Sequence, residues 1–385
     1  MAASELAPAS TPAPAPALES WVVVGCGYVG ERLAACLVSA NPGRCSVAGD
    51  AGTDSDSAAE EQQQQRLGEK GEGGHVVAVT HQREHASELA RRLPRVDVRV
   101  ADAFCPETLA TVLPMRAMIV DCVAPVRGRS PHEPGLVAAA ARAQARRIVY
   151  VSATSVYPRG DGGWIDEDTP PLPDTPRGKL RLESENALLE AAAASGIETV
   201  ILRVAAIYGP GRGVHERIRV GQHWVVGDGA NWFSRIHVDD LVGVIVASAT
   251  IEPLPRRVYL VADDEPTTAR QHCDGIAALL GVPPPPHLDA SRASNGSDQC
   301  PTGTARSGQL SLPGSSARDP ADIHLGSRRV SNRRLKSELG IRLLYPSWRQ
   351  GVPASIAETT ALRRSSGGLS LSSASNEASN EASHE

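Results

Sequence analysis

Trp21-Val22-Val23-Val24-Gly25-Cys26-Gly27-Tyr28-Val29-Gly30 is the stretch on which the reading of this 385-residue chain turns. Its apolar opening has the look of a strand buried on both faces. G-x-G-x-x-G follows at once, and a helical segment, ERLAACLVSA (31–40), follows that. In this setting each glycine has a task. Gly25 permits a tight turn, Gly27 lets the backbone approach a diphosphate, and Gly30 lets the helix pack close, with the helix N-terminus facing the phosphates. Cys26, Tyr28 and Val29 complete the loop. A strand before the motif and a helix after it are the context that gives it meaning.

The chain beyond the motif alternates in the same way. HVVAVT (75–80), VDVRV (96–100), AMIVDCV (117–123), RIVYVSA (147–153) and TVILRVA (199–205) are short β-branched runs; helical stretches fall at HASELARRL (85–93) and around 136–146. Such alternation implies parallel strands joined by crossover helices. The expected fold is therefore α/β, a doubly wound parallel sheet of the Rossmann type with a small C-terminal α/β substrate lobe. Residues 21–250 are expected to form the dinucleotide-binding domain, with 206–235 contributing to the substrate lobe, and 251–363 the C-terminal lobe. Four polar stretches of biased composition carry too little apolar surface to fold alone: a 1–20 leader, insertions at 49–74 and 288–322, and a 364–385 tail.

Composition narrows the function. There are 39 Lys and Arg against 44 Asp and Glu, a net charge of −5, and aromatics make up 3% of the chain. With neither a basic block nor a stacking surface, nucleic acid is a poor partner. No apolar run approaches the roughly 20 residues that cross a bilayer. The first twenty residues have no basic start and no apolar core, which points to the cytoplasm and leaves organelle targeting open. Seven cysteines without a C-x-x-C pair fit reduced thiols better than a disulfide framework or a zinc site. His81 and His85 lack a third ligand of matching type nearby, so no metal is assigned. The absence of a G-x-S-x-G elbow argues against a Ser-His-Asp hydrolase. A small-molecule substrate remains as the expected partner, and the oligomeric state is not legible.

Which dinucleotide binds depends on the residue ending the second strand. If CSVAGD (45–50) were that strand, Asp50 would receive the ribose hydroxyls and select NAD. If HVVAVT is the strand, His81, Gln82 and Arg83 follow it, with no acid and one firm cation. The second register is preferred because HVVAVT leads into an amphipathic helix and then VDVRV, and with it NADP is favoured over NAD. Arg83 has a plain alternative as a solvated charge at a helix start. Asp102, after VDVRV, is placed to reach the adenine end or to cap the next turn.

GCGYVG (25–30), VSATSVYP (151–158), WIDEDTPPLP (164–173), GKLRLESE (178–185), RVAAIYGPG (203–211) and RIHVDDL (235–241) together resemble the extended short-chain dehydrogenase/reductases, the NAD-dependent epimerase/dehydratase group and especially its atypical members. The resemblance covers most of the chain. It implies an NAD(P)-dependent oxidoreductase or epimerase-like enzyme acting on a polar carbonyl or hydroxyl substrate, with nucleotide-sugar-like compounds in that range. In the active family a Ser or Thr at the strand end holds the substrate oxygen. A Tyr-x-x-x-Lys pair supplies the proton donor and the cation that lowers its pKa from near 10.

Here the pattern is partial. Four residues before Tyr157 the hydroxyl position holds Ala153, flanked by Ser152 and Thr154. Four before Lys179 the tyrosine position holds Thr175, which precedes Pro176 and reads as a helix cap. Lys179, at the nicotinamide ribose, is the residue the resemblance carries over, with surface ion pairing as its other reading. Tyr157 is the substitute proton donor, or else an aromatic packed at the sheet edge. Tyr208 has the same two readings. Arg212 and Arg235 are the candidates to bind a substrate phosphate or carboxylate. His237, Asp239 and Asp240 open a helix and read as structural. The missing hydroxyl and tyrosine motivate a second class of function: a dinucleotide-binding sensor or interaction protein that no longer catalyses.

Overall fold

Buried aliphatic strands set the centre of the molecule. In a computed structural model, which describes residues 20–39, 75–288 and 326–367, they form one parallel sheet. Its strands are β1 (Trp21–Val24), β2 (Val76–Thr80), β3 (Asp97–Val100), β4 (Met118–Asp121), β5 (Arg147–Ala153), β6 (Glu198–Val204) and β7 (Val258–Val261), in the order β7-β6-β5-β4-β1-β2-β3. The leader to residue 19, Asp50 with the 49–74 insertion, residues 289–322, the tail from 368, Cys45 and Cys300 lie outside the described residues.

The described α-helices are α1 (Tyr28–Val38), α2 (Arg83–Arg92), α3 (Pro106–Val112), α4 (Glu133–Arg142), α5 (Pro176–Ser195), α6 (Val214–Arg219), α7 (Val238–Thr250), α8 (Ala269–Leu280), α9 (Arg333–Leu339) and α10 (Trp348–Gly367), and four two-stranded sheets accompany the large one. One face of the sheet shares a core with α1, α2 and α7 through Leu33, Leu89, Leu241 and Ile245. The other shares one with α3, α4 and α5 through Leu109, Leu136 and Leu188. Because both faces are covered, every residue of β1, β2 and β4 is buried and their sequences read as unbroken apolar runs.

β1 pairs with β2 on one side and β4 on the other. HVVAVT is therefore the strand beside β1, as preferred from sequence. Between β1 and β4 the strand order reverses, so the C-terminal ends of these two strands open the crevice where ligands of such sheets bind. The division expected at residue 251 falls inside the sheet. Val258 to Val261 pairs in parallel with Ile201 to Val204, because Tyr259, Leu260 and Val261 need a place inside a core. A further cluster, Ile218, Ile276, Trp348 and Val352, unites α6, α8 and α10. α10 reaches Gly367, so the first residues of the expected tail are helical.

Thr175 caps α5: its hydroxyl accepts the Gly178 N–H at 3.0 Å, and Pro176 occupies the first helical position. Thr175→Ala is expected to cost about 1 kcal/mol and to lower Tm by about 2–4 °C, with Thr175→Ser close to wild type. A differential scanning calorimetry series measures it; an unchanged Tm in the alanine variant would show that the cap contributes nothing.

Cys26, Cys105, Cys122 and Cys273 are free thiols. Cys36 departs from the reduced-thiol expectation and is disulfide-bonded, since spacing along a chain does not reveal which thiols meet in space. No described helix is long and apolar enough to cross a membrane.

Candidate functional site

The end of β1 turns at Gly25, with φ +80°. A Cβ there would stand 2.8 Å from Val123 Cγ2 and 3.0 Å from the Val123 nitrogen, so the turn fits beneath the end of β4 only without a side chain. At Gly30 a Cβ would lie 2.9 Å from Val23 Cγ1 and 3.0 Å from the Gly25 oxygen, which is how α1 comes to lie against its own strand. Gly27 differs: nothing lies within 4 Å of its absent Cβ. Gly27 is the N-cap of α1, and no side chain caps that helix. The Gly27 N–H donates to Gly25 at 2.8 Å and the Cys26 N–H to Val79 at 3.2 Å, which leaves the first N–H groups of α1 and its positive end at an open space. That donor set fits the diphosphate of a dinucleotide. His85 of α2 also holds the loop, its Nε2 lying 2.8 Å from the Cys26 oxygen.

Beyond β2, His81, Gln82 and Arg83 are exposed and none is an acid. Arg83 is the first residue of α2, whose N-cap Gln82 makes no side-chain cap bond. Asp102 accepts the Phe104 N–H at 3.0 Å, capping its own turn, and its other oxygen lies 3.5 Å from Arg129. The Arg129 guanidinium in turn covers the Phe104 ring at 3.9 Å.

At the C-terminal end of β5, Ser152 and Tyr157 point away from solvent. The Ser152 hydroxyl donates to Glu185 of α5, and Arg203 of β6 donates to the Tyr157 hydroxyl at 2.7 Å and to Glu185 at 2.8 Å. Tyr157 is 1% exposed, among Val156, Leu260, Ala262 and Val330. Burial raises its pKa more than the adjacent guanidinium lowers it. This phenol has a cation beside it, yet no exposed edge from which to deliver a proton. Ala153 and Thr154 are half-buried. On α5, Gly178, Arg181, Ser184 and Glu185 are buried, and Lys179 stands on the exposed side.

Arg212 and Arg235 part company. Arg212 is half-buried, its guanidinium 4.9 Å over the ring of Tyr28. Arg235 is 2% exposed and donates to Thr267 at 2.7 Å and to the Glu265 oxygen at 3.3 Å, with the Phe233 ring 4.3 Å away. Binding a substrate anion from the crevice is not the role this geometry gives Arg235, because it is buried and its two terminal nitrogens donate inward to Glu265 and Thr267. Tyr208 is buried too, and burial raises its pKa. His237 caps α7 by accepting the Asp239 N–H, and Asp240 accepts the N–H groups of Leu344 and Tyr345.

Two clusters escaped the sequence reading. Arg203 and Glu185 are one; the signal was an arginine inside TVILRVA, which in a buried strand needs an acid opposite. The second joins Asp121 at the end of β4 with His132 and Glu133 at the start of α4, all with fully buried side chains. His132 Nε2 lies 2.8 Å from Asp121 and Nδ1 lies 3.6 Å from Glu133. Their ligand atoms fall within 4.8 Å of one another. The Nε2 to Asp121 contact is a hydrogen bond, whereas His132 Nδ1 and both Glu133 carboxylate oxygens are buried among the described residues without a hydrogen-bond partner.

A doubly wound sheet with a glycine cradle at its switch point defines a dinucleotide-binding α/β protein. The profile of the NAD dependent epimerase/dehydratase family matches residues 134–262. A 3-diazoavenalumate denitrifying reductase from a Streptomyces species is 32% identical over 228 residues, 56% of this chain and 67% of the relative. Other curated relatives are matched over less than half of their own length. Among solved structures, a conserved protein of unknown function from Silicibacter pomeroyi is 27% identical with a TM-score of 0.63, covering 88% of this chain and 99% of that one. The UDP-glucuronic acid 4-epimerase of Bacillus cereus, in complex with NAD, has a TM-score of 0.61 at 15% identity over 89% and 99% of the two chains, a likeness of fold. The chain belongs to the NAD-dependent epimerase/dehydratase family.

Proposed function

We propose that this protein is an NAD(P)-dependent oxidoreductase that acts on a small polar substrate bearing a carbonyl or hydroxyl group, with nucleotide-sugar-like compounds the first class to test. The observation that carries the reading is the cradle: an uncapped helix N-terminus behind Gly27, with open space where a Cβ would stand. The nicotinamide supplies or accepts the hydride when bound, and the protein holds, orients and shields. Gly25, Cys26, Gly27, Tyr28, Val29 and Gly30 receive the diphosphate. Arg83 meets a ribose 2′-phosphate, favouring NADP, and Asp102 stands toward the adenine. Lys179 reaches the nicotinamide ribose from α5. Thr154 is the hydroxyl available to a substrate oxygen, while Ser152 and Tyr157 stiffen the strand end through Glu185 and Arg203. The Streptomyces reductase, 32% identical, supports a reducing rather than an epimerising chemistry.

A parallel fluorescence titration with NADPH and NADH tests the reading. Wild type is expected to bind NADPH the more tightly, and Gly27→Asp, which sets a carboxylate against the diphosphate, to lose at least about 100-fold in affinity. Wild type that binds neither nucleotide sinks the proposal.

One observation favours a second reading, a dinucleotide sensor without turnover. Ala153 and Thr175 stand where the family carries its hydroxyl and phenol, and the Thr175 hydroxyl is committed to capping α5. A screen for carbonyl-dependent NADPH oxidation separates the two: turnover that Lys179→Ala abolishes supports the enzyme, and NADPH binding with no turnover of any carbonyl supports the sensor.

A further inference from the structure

We propose that Arg212 is a ligand of the dinucleotide's diphosphate, brought to the glycine cradle by the loop that follows β6. The proposal rests on the dinucleotide reading of the cradle and adds to it a side chain from outside the glycine motif.

Among the described residues, each of the other arginines that is not exposed donates to a carboxylate or a carbonyl. The Arg212 side chain makes no hydrogen bond or ion pair with any described residue, and its guanidinium lies over the Tyr28 ring. A half-buried guanidinium in that state has lost water and gained no acceptor. Burial accordingly lowers its pKa, and Arg177 adds like-charge repulsion. An anion arriving there recovers the lost hydration through charge-assisted, bidentate hydrogen bonds.

The loop that carries the cation is tied to the cradle. Tyr28 directly follows Gly27, and its hydroxyl donates to the Pro210 oxygen at 3.2 Å. The Gly209 and Arg212 backbones bond reciprocally, at 2.9 and 3.0 Å. The Gly211 N–H donates to Thr359 of α10 at 2.9 Å. Tied at both lobes, the loop sets the base of the Arg212 side chain beside the cradle. The ring of Tyr28 serves as the shelf from which the guanidinium reaches the open side of Gly27. A substrate anion is the competing ligand, and it differs in one testable respect: ADP-ribose contains the diphosphate but neither nicotinamide nor substrate.

Calorimetric titration of wild type, Arg212→Ala, Arg212→Lys and Gly27→Asp with ADP-ribose and with NADPH distinguishes the cases. Arg212→Ala is expected to weaken both ligands alike, by about 10- to 100-fold. Arg212→Lys should recover part of the loss, because a point charge replaces a fork. Circular dichroism melts of both variants check that they fold. If Arg212→Ala binds ADP-ribose as wild type does while Gly27→Asp does not, the assignment is overturned and Arg212 is left to the substrate. If wild type itself does not bind ADP-ribose, the dinucleotide reading fails, and the assignment with it.

Discussion

Arg203→Met should lower the free energy of unfolding by about 3–5 kcal/mol. Arg203 lies on β6 at 7% exposure and Glu185 on α5 at 1%. The guanidinium gives Glu185 bonds at 2.8, 3.1 and 3.3 Å and gives the Tyr157 hydroxyl one at 2.7 Å. Methionine fills most of the volume, but leaves a carboxylate buried with the Ser152 hydroxyl as its remaining partner. The cost is that of an uncompensated charge rather than the value of the pair. The double variant Arg203→Met with Glu185→Leu should therefore recover most of the loss, since a buried pair replaced whole by apolar groups is often neutral. Urea denaturation of the four proteins in the cycle reads this directly, with the m-value as a control on the unfolded state. A single variant within about 1 kcal/mol of wild type would mean that solvent reaches Glu185.

The second large effect is expected at His132. Burial alone pushes its pKa down, but the Asp121 carboxylate, the hydrogen bond to it and Glu133 together outweigh burial and raise it, with Arg181 acting the other way. A histidine whose folded pKa lies above its unfolded value binds its proton more tightly in the native state. The stability this contributes is fully present below about pH 6.5 and is lost as pH rises through the folded pKa. Asp263, pushed up to about 8 by burial, adds a dependence of the same sign. The informative quantity is thus the difference between wild type and His132→Gln, which should shrink from pH 6 to pH 9. His132→Leu should cost about 3–5 kcal/mol near pH 6, where two carboxylates lose their cation. A difference that stays flat across that range would show that His132 is neutral in the folded protein. Because the cluster hangs from the end of β4, beside the residues under which Gly25 turns, its loss should also loosen the cradle.

Much of this protein is settled by local chemistry. The valines before Gly25, the three glycines, the Thr175-Pro176 cap and the strand character of HVVAVT each depend on a few neighbouring residues, and short-range sterics and hydrogen bonding suffice to read them. Strand and helix alternation extended that to a doubly wound sheet. Other features depend on which distant segments meet. VYLV (258–261) could be read as a strand, but its place at the edge of the large sheet depends on pairing with β6. Ser152 and Tyr157 carry the right chemistry for a site, and only the packing of α5 on β5 and β6 turns them toward Glu185 and Arg203. Arg212 and Arg235 are alike in sequence, and the tertiary structure gives one a set of inward acceptors and the other an aromatic shelf beside an open cradle. The physical reason is common to all of these: desolvation and charge pairing act between residues far apart in the chain, so a titratable side chain acquires its role only when the fold fixes what faces it.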